Sequence, residues 1–216
     1  MGTPSIRISW LSSSGYVYTF LPYLGKQTTD ALIYPDLPVT SRIVLHLYNN
    51  LQQSIPEATG YHMFTDRLYT SIILGQKLLD LQCYLKGTVM TNRKGIPFSM
   101  KSPKLRIGET IAYRKQEILL LAWRDKRVVS MLWTYGTPRS QVVRNRRVGD
   151  NRTQPVLKPS KIVQYNKNMG GVDLADQYTA NLLLPSQNPK MVEETVFLGF
   201  GSIYYQCLYF IQSISS

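Results

Sequence analysis

Residues 165–177, YNKNMGGVDLADQ, set the expectations for the rest of this chain. The paired glycines, Gly170 and Gly171, adopt positive φ at little cost and so allow a sharp change of direction. Asp173 then suits the N-cap of a helix, because its carboxylate can accept the first unpaired backbone N–H groups. Asp176 follows three residues later and shares one face of that helix. Taken alone, the stretch favours a capped helix with a solvated acid.

Two upstream strings give the stretch a wider context: FTDRLYTS at residues 64–71 and SGYVYTF at residues 14–20. The three strings resemble signatures of the piggyBac family of DNA transposases, whose longer patterns read Y-N-x-x-x-G-G-V-D-x-x-D-Q and F-x-D-x-x-Y-T-S. Their order and spacing agree with the family's transposase core and cover nearly the whole chain. On this resemblance the chain is identified as a truncated or degenerate copy of a piggyBac transposase-derived protein.

The resemblance also implies a fold. Family members have an α/β, RNase H-like core, a mixed sheet with flanking helices, here carrying a small antiparallel β insertion packed beside the sheet. The expected divisions are a first part of the core at 1–108, the insertion at 109–138, a basic loop at 139–160 and closing helices at 161–216. The residues by themselves indicate only an α/β fold with an insertion.

The chemistry implied by the family is metal-dependent DNA cleavage and strand transfer. In such sites three carboxylates hold two divalent ions, and Mg²⁺ prefers such oxygen ligands. By resemblance, Asp66 and Asp173 match the second and third acids, which ligate metal, and Asp176 matches an auxiliary acid. Judged without the family, Asp66 could instead cap the helix that follows it.

The first family acid is missing from this sequence. Its expected position falls on Leu11, or on Ser12 if the motif slips by one residue. Neither side chain can hold a divalent metal as a carboxylate does. We therefore expect a DNA-binding protein of transposase ancestry with weak or no catalysis. The alternatives are a domesticated, non-catalytic DNA- or chromatin-binding module, and a non-functional transposon relic.

The basic charge is concentrated in one segment of the chain. Residues 86–161 hold 18 basic and 4 acidic residues, whereas the remainder carries a net charge of −2. Such a concentration is typical of nucleic-acid binders, with acidic membrane lipid as the competing ligand. A stretch from 139 to 152 indicates an exposed, mobile basic loop that grips DNA, unless it only solubilises the chain or directs nuclear import. We expect DNA as the partner, a nuclear location, and these contact residues: Arg93, Lys94, Arg144, Arg146, Arg147, Arg152.

Apolar periodicity predicts the individual elements. A helix is expected at 39–53 and a second one after Ser71. The expected strands are 6–11 and 16–22, which form a hairpin, then 61–65, 83–90, 110–113, 118–123 and 128–134.

The uncharged run 195–214 is long enough to cross a bilayer. Its glutamines and its centrally spread aromatics favour a buried helix closing the core instead, with no membrane partner. Two cysteines exclude a disulfide framework and fit a reducing compartment. No secretory signal is expected at the start of the chain. We also expect the family's dimerisation and N-terminal DNA-binding parts to be absent, along with its C-terminal zinc module.

Overall fold

The computed structural model of this protein describes residues 5–11, 17–56, 59–137, 140–147, 153–169 and 208–211. The chain divides into two units. The first unit comprises residues 1–63 and 168–216, and the second comprises residues 64–167.

The first unit contains a hairpin and a third strand that joins it. Strands β1 (Ser5–Leu11) and β2 (Val17–Tyr23) pair antiparallel, which confirms the predicted hairpin. Strand β10 (Leu208–Ile211) pairs parallel with β1. The helix predicted over residues 195–214 is therefore wrong at residues 208–211, where aromatic and β-branched residues favour an extended backbone.

Two helices follow the hairpin: α1 (Lys26–Ala31) and α2 (Val39–Ser54), the second of which was predicted. Arg42 of α2 organises the loop between them. Its guanidinium donates hydrogen bonds to the carbonyl oxygens of Thr29, Leu32 and Ile33 at 2.6–3.1 Å. Arg42 can therefore be almost fully buried without a carboxylate, because backbone oxygens satisfy its donors.

The second unit is built on a mixed sheet of five strands with flanking helices, which confirms the predicted α/β class. Strand β3 (His62–Thr65) leads through helix α3 (Ile72–Asp80) to strand β4 (Tyr84–Thr88), and all three elements were predicted. The α3 helix begins at the Ser71 cap, whose hydroxyl accepts the Leu74 N–H at 3.1 Å. A short helix, α4 (Phe98–Lys101), lies in the connection that follows β4.

The three strands expected to form a separate insertion are part of the same sheet. They are β5 (Thr110–Lys115), β6 (Ile118–Arg124) and β7 (Val128–Trp133), and successive strands pair antiparallel. Strand β7 also pairs with β4, so the order is β3-β4-β7-β6-β5. The strands were predicted correctly, but they do not pack beside the sheet. They extend it, because β7 forms backbone hydrogen bonds with β4.

The segment predicted as a basic loop forms a hairpin of β8 (Ser140–Arg147) and β9 (Thr153–Pro159). A mobile loop was expected because the segment is poor in apolar residues, but backbone pairing does not require them. Helix α5 (Ser160–Asn168) follows; it falls in the segment expected to hold the closing helices, although no helix was predicted at these individual residues. Its buried residues are Ile162 and Tyr165.

No helix among the residues described is long and apolar enough to cross a membrane.

Candidate active site

Asp66 stands directly after β3, at the carboxyl end of a buried strand. Its carboxylate oxygen Oδ1 accepts the Arg67 N–H at 2.6 Å and the Thr88 hydroxyl at 3.4 Å. Its carbonyl oxygen accepts both the N–H and the hydroxyl of Thr70, at 3.1 and 2.9 Å. The carboxylate therefore does not cap α3, whose cap is Ser71. The Asp66 side chain is half-buried, and the Arg67 N–H and the Thr88 hydroxyl hold its carboxylate at the end of the strand.

A cluster of hydroxyl groups supports this strand end. The hydroxyls of Thr65 and Thr70 are hydrogen-bonded at 2.6 Å. The phenol of Tyr165, which lies on α5, donates to the Thr65 carbonyl oxygen at 3.2 Å and lies 3.4 Å from the Thr88 hydroxyl. The cluster, defined as Thr65, Thr70, Thr88 and Tyr165, ties two strands, a turn and a helix together beside Asp66.

Burial keeps Tyr165 in its neutral form. Loss of water raises the pKa of its phenol, the hydrogen bond with Thr88 lowers it, and the nearby Asp66 carboxylate, a smaller cause, raises it, so that the net pKa is about 12. The ring also packs against Phe64, with 6.3 Å between centroids. A neutral phenol can act as a hydrogen-bond donor throughout the physiological pH range, which is the role it has towards Thr65.

Gly87 of β4 allows the strands to approach closely at the hydroxyl cluster. A Cβ atom at this position would lie 2.5 Å from the Thr65 hydroxyl and 2.7 Å from the Thr65 carbonyl oxygen, and would also clash with the Thr70 hydroxyl. The absence of a side chain is therefore a requirement of the cluster.

Lys86 is buried beside the cluster and was not singled out by the sequence. It is 2% exposed, and its Nζ lies 5.3 Å from the Phe64 ring centroid and 4.9 Å from that of Trp133. The Lys161 ammonium lies over the same indole at 4.7 Å. Burial, and secondarily the charge of Lys161, lowers the pKa of Lys86 to about 7. The two rings offset part of the cost of burying the cation.

Asp173 and Asp176 lie outside the described residues, and so does Ser12, so whether Asp66 and Asp173 share one pocket stays a prediction. Leu11 is the last residue of β1. In the described part of the chain, no three acidic, histidine or cysteine side chains are grouped to hold a metal.

The Asp66 carboxylate and the side-chain group that contacts it, the Thr88 hydroxyl, nevertheless offer oxygen atoms as ligands. That chemistry fits a hard cation such as Mg²⁺ better than a softer metal. Asp66 supplies one ligand, so any ion would need further carboxylates from outside the described residues.

The predicted DNA contacts lie after β4 and on β8. Lys94 is exposed, whereas Arg93 is half-buried and its guanidinium donates to the Leu68 carbonyl oxygen. Arg144, Arg146 and Arg147 belong to β8, and Arg152 lies outside the described residues.

The second unit carries almost all of the positive charge. It holds 21 basic and 6 acidic residues, against 4 basic and 7 acidic residues in the first unit. Among the residues that the structure describes, Lys77 pairs with Asp80 and Arg114 with Glu117, and both ion pairs are largely exposed. Since exposed pairs interact weakly, Lys77 and Arg114 remain available to an external polyanion.

Sequence reasoning missed Thr88, Gly87 and Lys86. All three lie on β4, and their proximity to Asp66, Thr65 and Trp133 follows from how the strands pair, which the local sequence does not show. One available signal was a lone lysine between Leu85 and Gly87 in an otherwise apolar strand, which is unusual unless the lysine is partnered or functional.

Comparison with known proteins supports one family. The family profile described as Transposase IS4 matches residues 6–199. The human PiggyBac transposable element-derived protein 3 is 29% identical over 169 residues, which are 76% of this chain and 28% of that protein. The human Chimeric ERCC6-PGBD3 protein matches to the same extent, with 16% of its length covered. The chain thus spans under a third of these relatives.

Among solved structures, a piggyBac transposase in a synaptic complex with hairpin DNA is similar to this chain. The TM-score is 0.62 at 22% identity, covering 88% of this chain and 37% of that one. At this identity the likeness establishes the fold, which confirms the fold class expected from the resemblance.

A Gly87→Ala substitution should destabilise the protein by roughly 1–3 kcal/mol, because the added methyl clashes with the hydroxyl cluster. Urea unfolding measures this change in stability. Gly75→Ala is the matched control: its Cβ would lie 3.2 Å from Thr134 Cγ2, and alanine favours the α3 helix by up to about 1 kcal/mol. An equal or larger destabilisation in the control would contradict a special requirement at Gly87.

Lys86 should make stability depend on pH between about 7 and 10.5. In this range the unfolded chain holds a proton on Lys86 that the folded chain has released, so stability rises with pH, by at most about 1.4 kcal/mol per unit. Lys86→Met should abolish this contribution, and urea unfolding at several pH values from 7 to 10 measures it. Lys77→Met, at an exposed lysine, is the control. Parallel pH curves for wild type and Lys86→Met would refute the assignment.

Proposed function

This chain belongs to the piggyBac-type branch of the transposase IS4 family, and we propose that it is a transposase-derived domain that binds DNA but no longer cleaves it efficiently. One observation carries the proposal: a strongly basic unit contains Asp66, the only family acid that the structure describes, while neither Leu11 nor Ser12, the two candidates for the first acid position, is a carboxylate. DNA binding would therefore depend on the positive charge of the unit, whereas cleavage would depend on the set of metal-binding carboxylates.

DNA binding is supported by charge and its distribution. The net charge of the second unit is +15, against −3 for the first. Proteins with such an imbalance bind phosphate backbones through counterion release, which needs no base-specific contact. The β8–β9 hairpin brings three arginines into one strand, and a two-stranded β-ribbon fits the DNA major groove. A solved relative is described in complex with hairpin DNA.

Cleavage would need carboxylates that hold divalent metal. Asp66 and Asp173 would be the ligands here, with Asp176 nearby, and the bound ions would activate the attacking oxygen and stabilise the leaving one. The contribution of the chain itself is to fix the Asp66 carboxylate through Arg67 and Thr88. With Leu11 or Ser12 in place of the first acid, the two-ion arrangement lacks one anionic ligand, and cleavage should be weak or absent.

This function implies a nuclear location, where the DNA is, and such a location can be tested by imaging a tagged chain. A transposon relic without function would share the fold but would have no reason to keep salt-sensitive affinity for DNA. Salt-dependent binding and metal-dependent nicking separate these possibilities.

DNA affinity should fall steeply with salt, and the β8 arginines should contribute to the slope. Replacing Arg144, Arg146 and Arg147 by alanine should reduce the slope of log K against log salt by about 0.9 for each phosphate that the variant no longer neutralises. Fluorescence anisotropy with labelled duplex DNA measures it. A charge-matched control replaces Lys26, Lys77 and Lys190, which lie outside the basic segment. Equal slopes in the triple variant and wild type would remove the hairpin from the interface.

The wild-type chain should show no more than trace Mg²⁺-dependent nicking of hairpin or transposon-end DNA. Leu11→Asp restores an acid at the first position and should increase nicking, while Leu11→Asn, which adds a polar group without charge, should not. Adding Asp66→Asn to Leu11→Asp should reverse the increase. Strong cleavage by the wild type that Asp66→Asn abolishes would show that two acids suffice and that catalysis has been kept.

A further inference from the structure

Between β4 and β5 the chain presents an unusual combination of exposed aromatic and basic residues. Phe98 is 88% exposed, more than any other large apolar side chain in the described part of the chain. The segment around it, residues 91–109, contains five cations and one acid: Arg93, Lys94, Lys101, Lys104, Arg106, Glu109. A phenyl ring exposed to water lacks the stabilisation that burial of its apolar surface would give. We therefore asked what the residues around Phe98 could bind.

The segment is anchored to the second unit at three points. Ile96, Met100 and Leu105 are 1–7% exposed and therefore belong to the core. Hydrogen bonds join the segment to neighbouring elements, since the Arg124 guanidinium donates to the Leu105 carbonyl oxygen at 2.7 Å and the Gly108 N–H donates to the Arg124 carbonyl oxygen at 2.7 Å. Phe98 is therefore displayed outward by backbone that is itself packed and hydrogen-bonded.

The orientation of α4 follows from its core residue. Met100 is buried, and Phe98 lies two residues earlier, on the opposite side of a helical turn. Lys101 lies three residues after Phe98 and so shares its face, and it is exposed. Lys94 and Lys104 flank the helix and are also exposed. Met100 supplies the core contact of this turn, and the ring at position 98, which is 88% exposed, lies away from that contact.

An aromatic ring beside lysines matches the two parts of a nucleotide. The π face of a base stacks on an aromatic side chain, while phosphates are neutralised by neighbouring cations. Resting on the DNA binding proposed above, we infer that Phe98 stacks on an unpaired base of bound DNA, whose phosphates Lys94, Lys101 and Lys104 neutralise. This assigns a base-stacking position to a domain whose other predicted contacts are all with the backbone.

Charge and shape favour nucleic acid over other occupants. The surrounding unit carries +15, which complements a polyanion along its length. A membrane-surface helix needs a long amphipathic face, whereas α4 has four residues. A protein interface needs an apolar core of several neighbouring residues, and between residues 91 and 109 Ile107 is the one exposed large apolar side chain besides Phe98.

The test compares binding of a single-stranded oligonucleotide by wild type and Phe98 variants, using anisotropy over a salt series. Phe98→Ala and Phe98→Leu should weaken binding about 5- to 100-fold at every salt concentration, because neither has a π face. Phe98→Trp should bind at least as well as wild type. Lys101→Ala and Lys104→Ala should instead each reduce the salt slope, by about 0.7. Since Phe98 is exposed, thermal unfolding should confirm that all variants fold.

Leu24→Ala is the matched control, because Leu24 is 53% exposed and lies outside the basic segment. If Phe98→Ala binds DNA as tightly as wild type does, the stacking inference is overturned and the proposed function is unaffected. Wild type without DNA affinity would overturn both. Full affinity in Phe98→Leu would exclude stacking in favour of an apolar wedge. If Phe98→Ala abolishes binding to phosphatidylserine vesicles and leaves oligonucleotide binding unchanged, the stacking inference is overturned and Phe98 contacts a membrane surface instead.

Discussion

The close approach of backbone and hydroxyl groups at Gly87 is the constraint on which the Asp66 site depends. Because this residue has no Cβ, the Thr65 and Thr70 hydroxyls can occupy the space beside β4 and hydrogen-bond each other. Buried hydroxyls are unfavourable unless paired, and here the pairing also recruits Tyr165 from a distant helix. A network of this kind fixes the end of β3, so the direction in which Asp66 leaves the strand is set by elements separated by a hundred residues.

The sequence predicted elements with a strong local period and failed where long-range pairing decides. Helix α2, with apolar residues at helical spacing, and strands β3 to β7 follow from their own residues. Strand β10 does not, because an apolar run suits a buried helix or strand alike until its partner, β1, is known. Helix α5 contains Ile162 and Val163, which lower helix propensity, and its packing through Ile162 and Tyr165 overrides that preference.

The sequence predicted only those residues of the candidate site that lie within a family motif. Asp66 was found because it lies within a string that resembles a family signature, and the structure places it at a strand end, as expected. Thr88 and Lys86 contribute through their strand neighbours, and nothing in their local sequence fixes which residues those are. The relation between Asp66 and Asp173 stays a prediction, since it depends on a part of the chain that the structure does not describe.

The electrostatics of the second unit connect its stability to its proposed ligand. A unit with a net charge of +15 repels itself, which favours expansion, and burying one more cation would add to that cost. Lys86 avoids the cost near and above neutral pH by releasing its proton, helped by burial and by Lys161 over the same indole. Cations such as Lys94, Lys101, Lys104 and Arg106 are exposed to water, where a polyanion can reach them. Phosphates that neutralise them would relieve the self-repulsion of the folded unit, so the same charge that weakens the free protein makes bound DNA stabilising.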